Sequence, residues 1–121
     1  MSGLPRAPES LPKRRRVAAR RDYKTTYEDG AKRHGRLVVA FARPNGREDG
    51  RLGVTVTRKV GGAVVRNLLK RRVREIYRRR AARPGVDVVV NVKREAATAD
   101  FAALREDLTR VLTSLEARNA R

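Results

Sequence analysis

The sequence contains no cysteine, no tryptophan and a single histidine, His34, and its aromatics amount to three tyrosines and two phenylalanines. Without cysteine there are no disulfides, no thiolate metal sites and no cysteine nucleophile. That composition fits a reducing cytoplasm, which is the expected location. A lone histidine makes neither a metal pair nor an acid–base pair. The carboxylates are few and dispersed. Hydrolysis of a phosphodiester needs a positioned base, a nucleophile or clustered metal ligands, and no such constellation stands out. No catalytic residue and no metal site are therefore assigned to the protein itself. The apolar runs are only a few residues long, far short of the ~20 that a membrane span requires. The basic N-terminus lacks the apolar segment of a secretory signal. A surface-lying amphipathic helix would need large apolar anchors, and tryptophan is absent, so no membrane partner is expected.

What the chain has in excess is positive charge. Lys and Arg number 31 against 13 Asp and Glu, giving a net charge of +18 and a pI near 11.7. At 121 residues and 40% hydrophobic content there is material for one core. Self-repulsion at that charge weakens the isolated compact state, and a bound polyanion relieves it.

The charge concentrates between Lys59 and Arg83, where Glu75 is the only acid. Val65, Leu68, Leu69, Val73, Ile76 and Tyr77 recur at three- and four-residue steps, which predicts a helix with one buried stripe. Arg66, Asn67, Lys70, Arg71, Arg74 and Arg78 follow the same steps along the other side. Neighbours at those spacings lie together on a helix surface, so the cations form one patch. Arg72 and Arg80 break the pattern from the apolar side and must lie at its edge or reach out along their stems. Most charge runs are solvated faces of mixed sign. A face of one sign suits a polyanion, with nucleic acid foremost. Gly61-Gly62 before the helix serves the turn, and also lets backbone amides approach phosphate.

The remaining segments read in order. Residues 1–16, with Pro5, Pro8, Pro12 and the run Lys13–Arg16, predict a flexible basic tail. Val17 to Glu28 predicts a short helix closed by Asp29-Gly30. On it Tyr23 and Tyr27 stand four apart among Arg20, Arg21 and Lys24. Such a pair usually packs into a core, but aromatic faces among cations also stack nucleobases. Ala31–Gly35 suggests a short edge strand, and Arg36–Arg43 and Arg51–Arg58 suggest strands joined by a hairpin loop over 44–50. In the second, Gly53, Thr55 and Thr57 share one face, either an ordinary solvent face or a shallow one open to a backbone ligand. The basic helix stops at Pro84-Gly85, Val86–Val92 reads as a largely buried strand, and Phe101 to Leu115 reads as an amphipathic helix capped by Thr98 or Asp100. Residues 17–116 thus form one domain, with 117–121 fraying. The class is α+β: a small mixed sheet with three helices.

The string Arg58-Lys59-Val60-Gly61-Gly62-Ala63-Val64-Val65-Arg66-Asn67, with Lys70-Arg71 and Arg74-Glu75 after it, resembles the signature of the bacterial ribonuclease P protein subunit. The aromatic N-terminal helix, the Gly-Val-x-Val strand, the valine-rich strand and the last helix extend the resemblance over about residues 11–116. One departure is Leu68, which stands where the family often has a second arginine. The resemblance implies a ribosomal-protein S5 domain 2-like sandwich with a left-handed βαβ crossover, where chain physics alone favours a right-handed one. It implies a protein subunit that binds ribonuclease P RNA and precursor tRNA, with Mg²⁺ used by the RNA subunit to remove the 5′ leader. No obligate protein partner is implied. Lys59, Arg66, Asn67, Lys70, Arg71 and Arg74 would bind the catalytic RNA, and Tyr23, Tyr27, Thr55, Thr57 and Arg58 would line the leader cleft. The residues themselves also admit a ribosomal-type structural RNA binder, a DNA-compacting protein or a protein-only nuclease.

Overall fold

The computed structural model describes residues 11–80 and 85–119. Its regular elements are α1 (Arg20–Asp29), β1 (Ala31–His34), β2 (Val38–Pro44), β3 (Arg51–Thr55), α2 (Ala63–Arg79), β4 (Val86–Val92) and α3 (Phe101–Asn119). The strands form one mixed sheet in the order β1-β2-β4-β3. β1 pairs antiparallel with β2 and β2 antiparallel with β4, whereas β3 runs parallel to β4. The chain thus leaves β3, passes through α2 and returns as β4 alongside β3.

That order corrects one expectation. β2 and β3 are not a hairpin, because β4 lies between them. The turn chemistry at 44–50 is real, but it carries the chain across the width of a strand. The reason is in β4. Val86 to Val90 are all buried, and a strand apolar on both faces gains most at the centre of a sheet covered on both sides.

The two sides are covered differently. Ala40 and Ala42 of β2, Leu52 of β3 and Val88, Val90 and Val92 of β4 pack against the stripes of α2 and α3. Leu104, Leu108, Leu112 and Leu115 of α3 are at most 1% exposed, and burial of each such side chain stabilises the fold by about 2 kcal/mol. The opposite side carries Phe41, Val89, Gly53, Thr55 and Asn91, in register across the strands. Among the described residues it is covered by α1, ten residues long.

Buried carboxylates fasten this frame. Asp107 on α3 accepts hydrogen bonds from the backbone amides of Arg36 (2.9 Å), Leu37 (2.8 Å) and Val38 (3.3 Å), fixing the helix to the start of β2. A Cβ on Gly35 would collide with that carboxylate, so the glycine is required by close approach. Asp87 on β4 is fully buried. It accepts two bonds from Arg51, at 2.9 and 2.7 Å, and one from Asn45 Nδ2 at 2.7 Å. Arg51 also reaches Asp22 on α1 at 3.4 Å. Asp100 caps α3, accepting from the Ala103 amide at 2.8 Å.

Both chain ends depart from the sequence reading. Residues 11–16 are not a free tail. Leu11 is 1% exposed in the core, Lys13–Arg15 form a 3-10 turn, and Arg16 bridges in parallel to Leu52. The Arg15 guanidinium donates to Gly50 O (3.0 Å) and lies 5.7 Å from the centre of the Tyr77 ring. At the other end, residues 117–119 continue the helix where fraying was expected. Residues 1–10, 120–121 and the predicted stop at Pro84 lie outside the described residues.

Candidate nucleic-acid interface

α2 builds the first part of the site. Its apolar stripe is buried through Leu69, Val73, Ile76 and Tyr77, which fixes which side chains face outward. Asn67 and Arg71 are exposed, Arg66, Lys70 and Arg74 are half-buried, and Lys59 is exposed just ahead of the helix. Arg66 folds back so that its Nε donates to Gly61 O at 3.1 Å, placing a guanidinium beside the helix N-terminus. Among the described residues, no carboxylate lies within ion-pair distance of Lys59, Arg66, Lys70, Arg71 or Arg74. These charges are held together by the fold and answered by none of the described acids.

The helix changes character after Arg74. Glu75 pairs with Arg78 (2.8 Å) and with Arg79. The Arg78 and Arg79 hydrogen bonds hold the Glu75 carboxyl below its ordinary pKa. Arg80 makes two bonds to Glu116 on α3, at 2.8 and 2.7 Å. Arg72 lies 6.0 Å from the Phe101 ring centre, toward α3. The two cations that broke the stripe therefore serve the α2–α3 contact, and the open patch ends at Arg74 rather than Arg78. Leu68 is 39% exposed and Val64 84% exposed on the outer face beside Asn67 and Arg71.

The second part is an open cleft of about 590 Å³ between α1, β3 and α2, lined by Arg20, Tyr23, Tyr27, Thr55 and Lys70 together with Ala18, Val54 and Val56. The tyrosines sit 6.4 Å apart with ring planes inclined by 43°. Tyr27 is anchored to the sheet. Its hydroxyl donates to Asn91 Oδ1 at 2.7 Å and lies 3.1 Å from Thr55 Oγ1, while its ring meets Phe41 edge-on at 4.9 Å. Tyr23 rests on Gly53. A Cβ there would come within 2.7 to 2.8 Å of the Tyr23 ring and hydroxyl, so only glycine admits this packing. Burial pushes the Tyr23 hydroxyl pKa up, partly opposed by the Val54 backbone and the Arg74 charge. The hydroxyl stays protonated and the ring stays neutral near pH 7.

Among the described residues, no three His, Cys, Asp or Glu side chains lie close enough to share a metal ion. None of the described helices is long and apolar enough to cross a membrane. The chemistry on offer is cationic and aromatic: guanidinium and ammonium groups for phosphates, and tyrosine faces for bases.

The ribonuclease P family model matches residues 11–116. The chain belongs to the ribonuclease P protein family. It is 38% identical to the ribonuclease P protein component of Thermotoga maritima over 114 residues, 89% of this chain and 97% of that protein. The solved structure of the RNase P protein from Thermotoga maritima superposes with a TM-score of 0.73 at 36% identity, covering 84% of this chain and 96% of that one. The Staphylococcus aureus RNase P protein superposes with a TM-score of 0.77 at 27% identity, covering 82% and 93% of the two chains. A part in tRNA processing, within an endoribonuclease complex and in partnership with ribonuclease P RNA, comes with membership of the family.

Of the residues expected in a ribonuclease P protein cleft, the fold brings Tyr23, Tyr27 and Thr55 together. Thr57 and Arg58 are exposed beyond the end of β3 and are not in the cleft lining. Lys70, expected on the patch, lines the cleft as well and joins the two parts. Sequence reasoning missed Gly53 as the seat of Tyr23, Asn91 as the partner of Tyr27, and Arg20 in the lining. The alternation in β3 and β4 could have aligned Gly53, Thr55 and Asn91 once the parallel pairing was known.

Proposed function

We propose that this chain is the protein subunit of ribonuclease P, binding the catalytic RNA along α2 and the 5′ leader of precursor tRNA in the cleft. The observation that carries the reading is the continuity, through Lys70, of an aromatic cleft with a cationic helix face that no described carboxylate pairs. Lys59, Arg66, Asn67, Lys70, Arg71 and Arg74 contact the catalytic RNA. Arginine grips phosphate with paired hydrogen bonds, and Asn67 offers both a donor and an acceptor. Tyr23 and Tyr27 stack leader bases without reading their identity, while Thr55 supplies a hydroxyl between them. Thr57 and Arg58 extend the rim toward the incoming strand.

The RNA subunit performs the hydrolysis. On this reading Mg²⁺, which takes oxygen ligands, is used by the RNA subunit, and no site for it is assigned to the protein. The protein acts by binding and orientation in the cytoplasm, with no obligate protein partner.

The test is reconstitution. Protein, the ribonuclease P RNA of the same organism and a precursor tRNA are mixed at low Mg²⁺ and moderate salt. Cleavage at the leader junction is expected only when protein and RNA are both present. Cleavage by the RNA unaffected by the protein, paired with tight binding to ribosomal RNA, would move the chain to the structural RNA binders.

A further inference from the structure

Exposed apolar side chains scattered singly over a protein surface need no explanation. Here they are not scattered. Among the described residues the exposed large apolar side chains are Val64, 84% exposed, and Leu68, 39% exposed. They stand one helical turn apart on α2 and so are neighbours on one face, which Asn67 and Arg71 complete at the same spacings. All four side chains are exposed. The face lies opposite the buried stripe of Leu69, Val73, Ile76 and Tyr77. Neither Val64 nor Leu68 lines the tyrosine cleft.

The charge around this apolar pair decides what can cover it. The first turn of α2 holds no acid, and no side chain caps its N-terminus. Among the described residues, Arg66 and Arg71 have no carboxylate at ion-pair distance. A second copy of the chain would bring another +18 against this face, and like charge opposes such a contact. Charge complementarity therefore calls for a polyanion, and the methyl groups call for apolar area on it. In RNA the phosphates and ribose hydroxyls are polar, and the apolar area is on the faces of the bases. Stacking within a helix hides those faces, so the base that fits is one splayed out of a loop, bulge or junction. Aliphatic side chains, leucine among them, pack against base faces where proteins unstack a nucleic acid.

We propose that Val64 and Leu68 form an apolar platform for one unstacked base of ribonuclease P RNA, beside the phosphate contact of Arg71. The platform rests on the reading of α2 as the contact for the catalytic RNA, and adds to it a component that does not depend on salt. Phosphate contacts position a helix on a nucleic acid without reading it. A platform that accepts only an unstacked base selects where on the RNA the helix settles.

The test is equilibrium binding of the full chain to the ribonuclease P RNA of the same organism over a salt series. Loss of a phosphate contact tilts the line of log affinity against log salt, whereas loss of an apolar contact shifts that line without tilting it. Val64→Thr combined with Leu68→Gln nearly keeps the side-chain sizes and removes apolar surface. This double variant is expected to bind about tenfold more weakly at every salt concentration, with the slope unchanged. Leu68→Met, which stays apolar, should lose less than about twofold. In base-directed chemical probing, the unaltered protein and Leu68→Met should protect one unpaired base that the double variant leaves reactive. Undiminished affinity in the double variant, or a loss that comes with a changed slope, overturns the platform. If the double variant shifts the unfolding midpoint, the series is read from Val64→Thr, whose position is the more exposed. Arg71→Ala separates the two ideas. A reduced slope in Arg71→Ala with undiminished binding by the double variant removes only the platform, whereas an unchanged slope and undiminished binding together remove α2 from the RNA interface. A mass that doubles with concentration in the unaltered protein but not in the double variant gives the face to a second copy and overturns the platform.

Discussion

Two sets of arginines in this small protein meet opposite fates. Arg51, Arg78, Arg79 and Arg80 each find a carboxylate: Asp87 and Asp22 for the first, Glu75 for the next two, Glu116 for the last. Arg66, Arg71 and Arg74 lie on the same helix as two of these, and no carboxylate among the described residues answers them. Composition cannot tell the two sets apart. What separates them is the placement of a few acids: Glu75 closes the patch on α2, and Glu116 and Asp87 attend to cations at the helix–helix contact and the sheet edge. These acids hold the fold, and the face they leave unanswered is the one available to an external polyanion.

The contrast can be broken most severely at Arg51. Arg51→Ala leaves Asp87 buried and charged without its partner, which should lower stability by about 3–5 kcal/mol, read as the midpoint of urea unfolding. A loss under 1 kcal/mol would show that Asp87 is not charged in the fold. Asp87 also sets a pH dependence. Burial alone would raise its pKa, but the Arg51 and Asn45 hydrogen bonds outweigh it and the net shift is downward from 3.8. A depressed folded-state pKa contributes stability that is fully present above the unfolded value and lost as pH falls through the folded one. Unfolding midpoints should therefore hold near neutrality and decline below about pH 4. Arg51→Ala should flatten that decline.

Gly53→Ala comes next. The added methyl has no room beneath Tyr23, so the ring must move, at a cost of about 1–3 kcal/mol in stability. Binding of leader-bearing precursor should weaken about tenfold, while mature tRNA binding holds. Equal losses for the two RNAs would return Tyr23 to a purely structural role.

On the unanswered side the effects shift from stability to salt dependence. Lys70→Ala and Arg71→Ala should leave the unfolding midpoint in place, and each should reduce the slope of log affinity against log salt by about one phosphate equivalent. An unchanged slope takes that residue out of the RNA interface. The smallest effect is expected at Glu75. Glu75→Gln frees Arg78 and Arg79, so RNA affinity should rise modestly at low salt and the slope should steepen. No change would mean that the interface ends at Arg74.

Much of this was legible in the chain. The period of Val65, Leu68, Leu69, Val73, Ile76 and Tyr77 gave the face of α2 that is buried at Leu69, Val73, Ile76 and Tyr77, but Leu68, expected in that stripe, is exposed on the outer side. Tyr23 and Tyr27 at a spacing of four could be placed on one side of a helix. Arg72 and Arg80, out of pattern, were recognisable as edge residues, and both lie at the contact with α3. The pairing partners were not legible. Arg51 and Asp87 are 36 residues apart, Tyr27 and Asn91 are 64 apart, and the Leu37 amide and Asp107 are 70 apart. No local rule links such positions, because they meet only after the sheet has assembled. The N-terminal segment was misread for the same reason. The proline and basic residues of 11–16 describe a solvated tail, and only the pairing beside Leu52 gives those residues a fixed place.

The sequence by itself determined that this protein is basic, without thiol chemistry, built on three helices and a small sheet, and organised around one cationic helix. These properties follow from composition and local period, which need no partner. The tertiary structure decided the order of the strands, the seating of Tyr23 on Gly53, the hydrogen bond of Tyr27 to Asn91, and which of the described arginines meet a carboxylate. Each of these depends on contacts between residues far apart in the chain, and burial in a shared core is what brings them together.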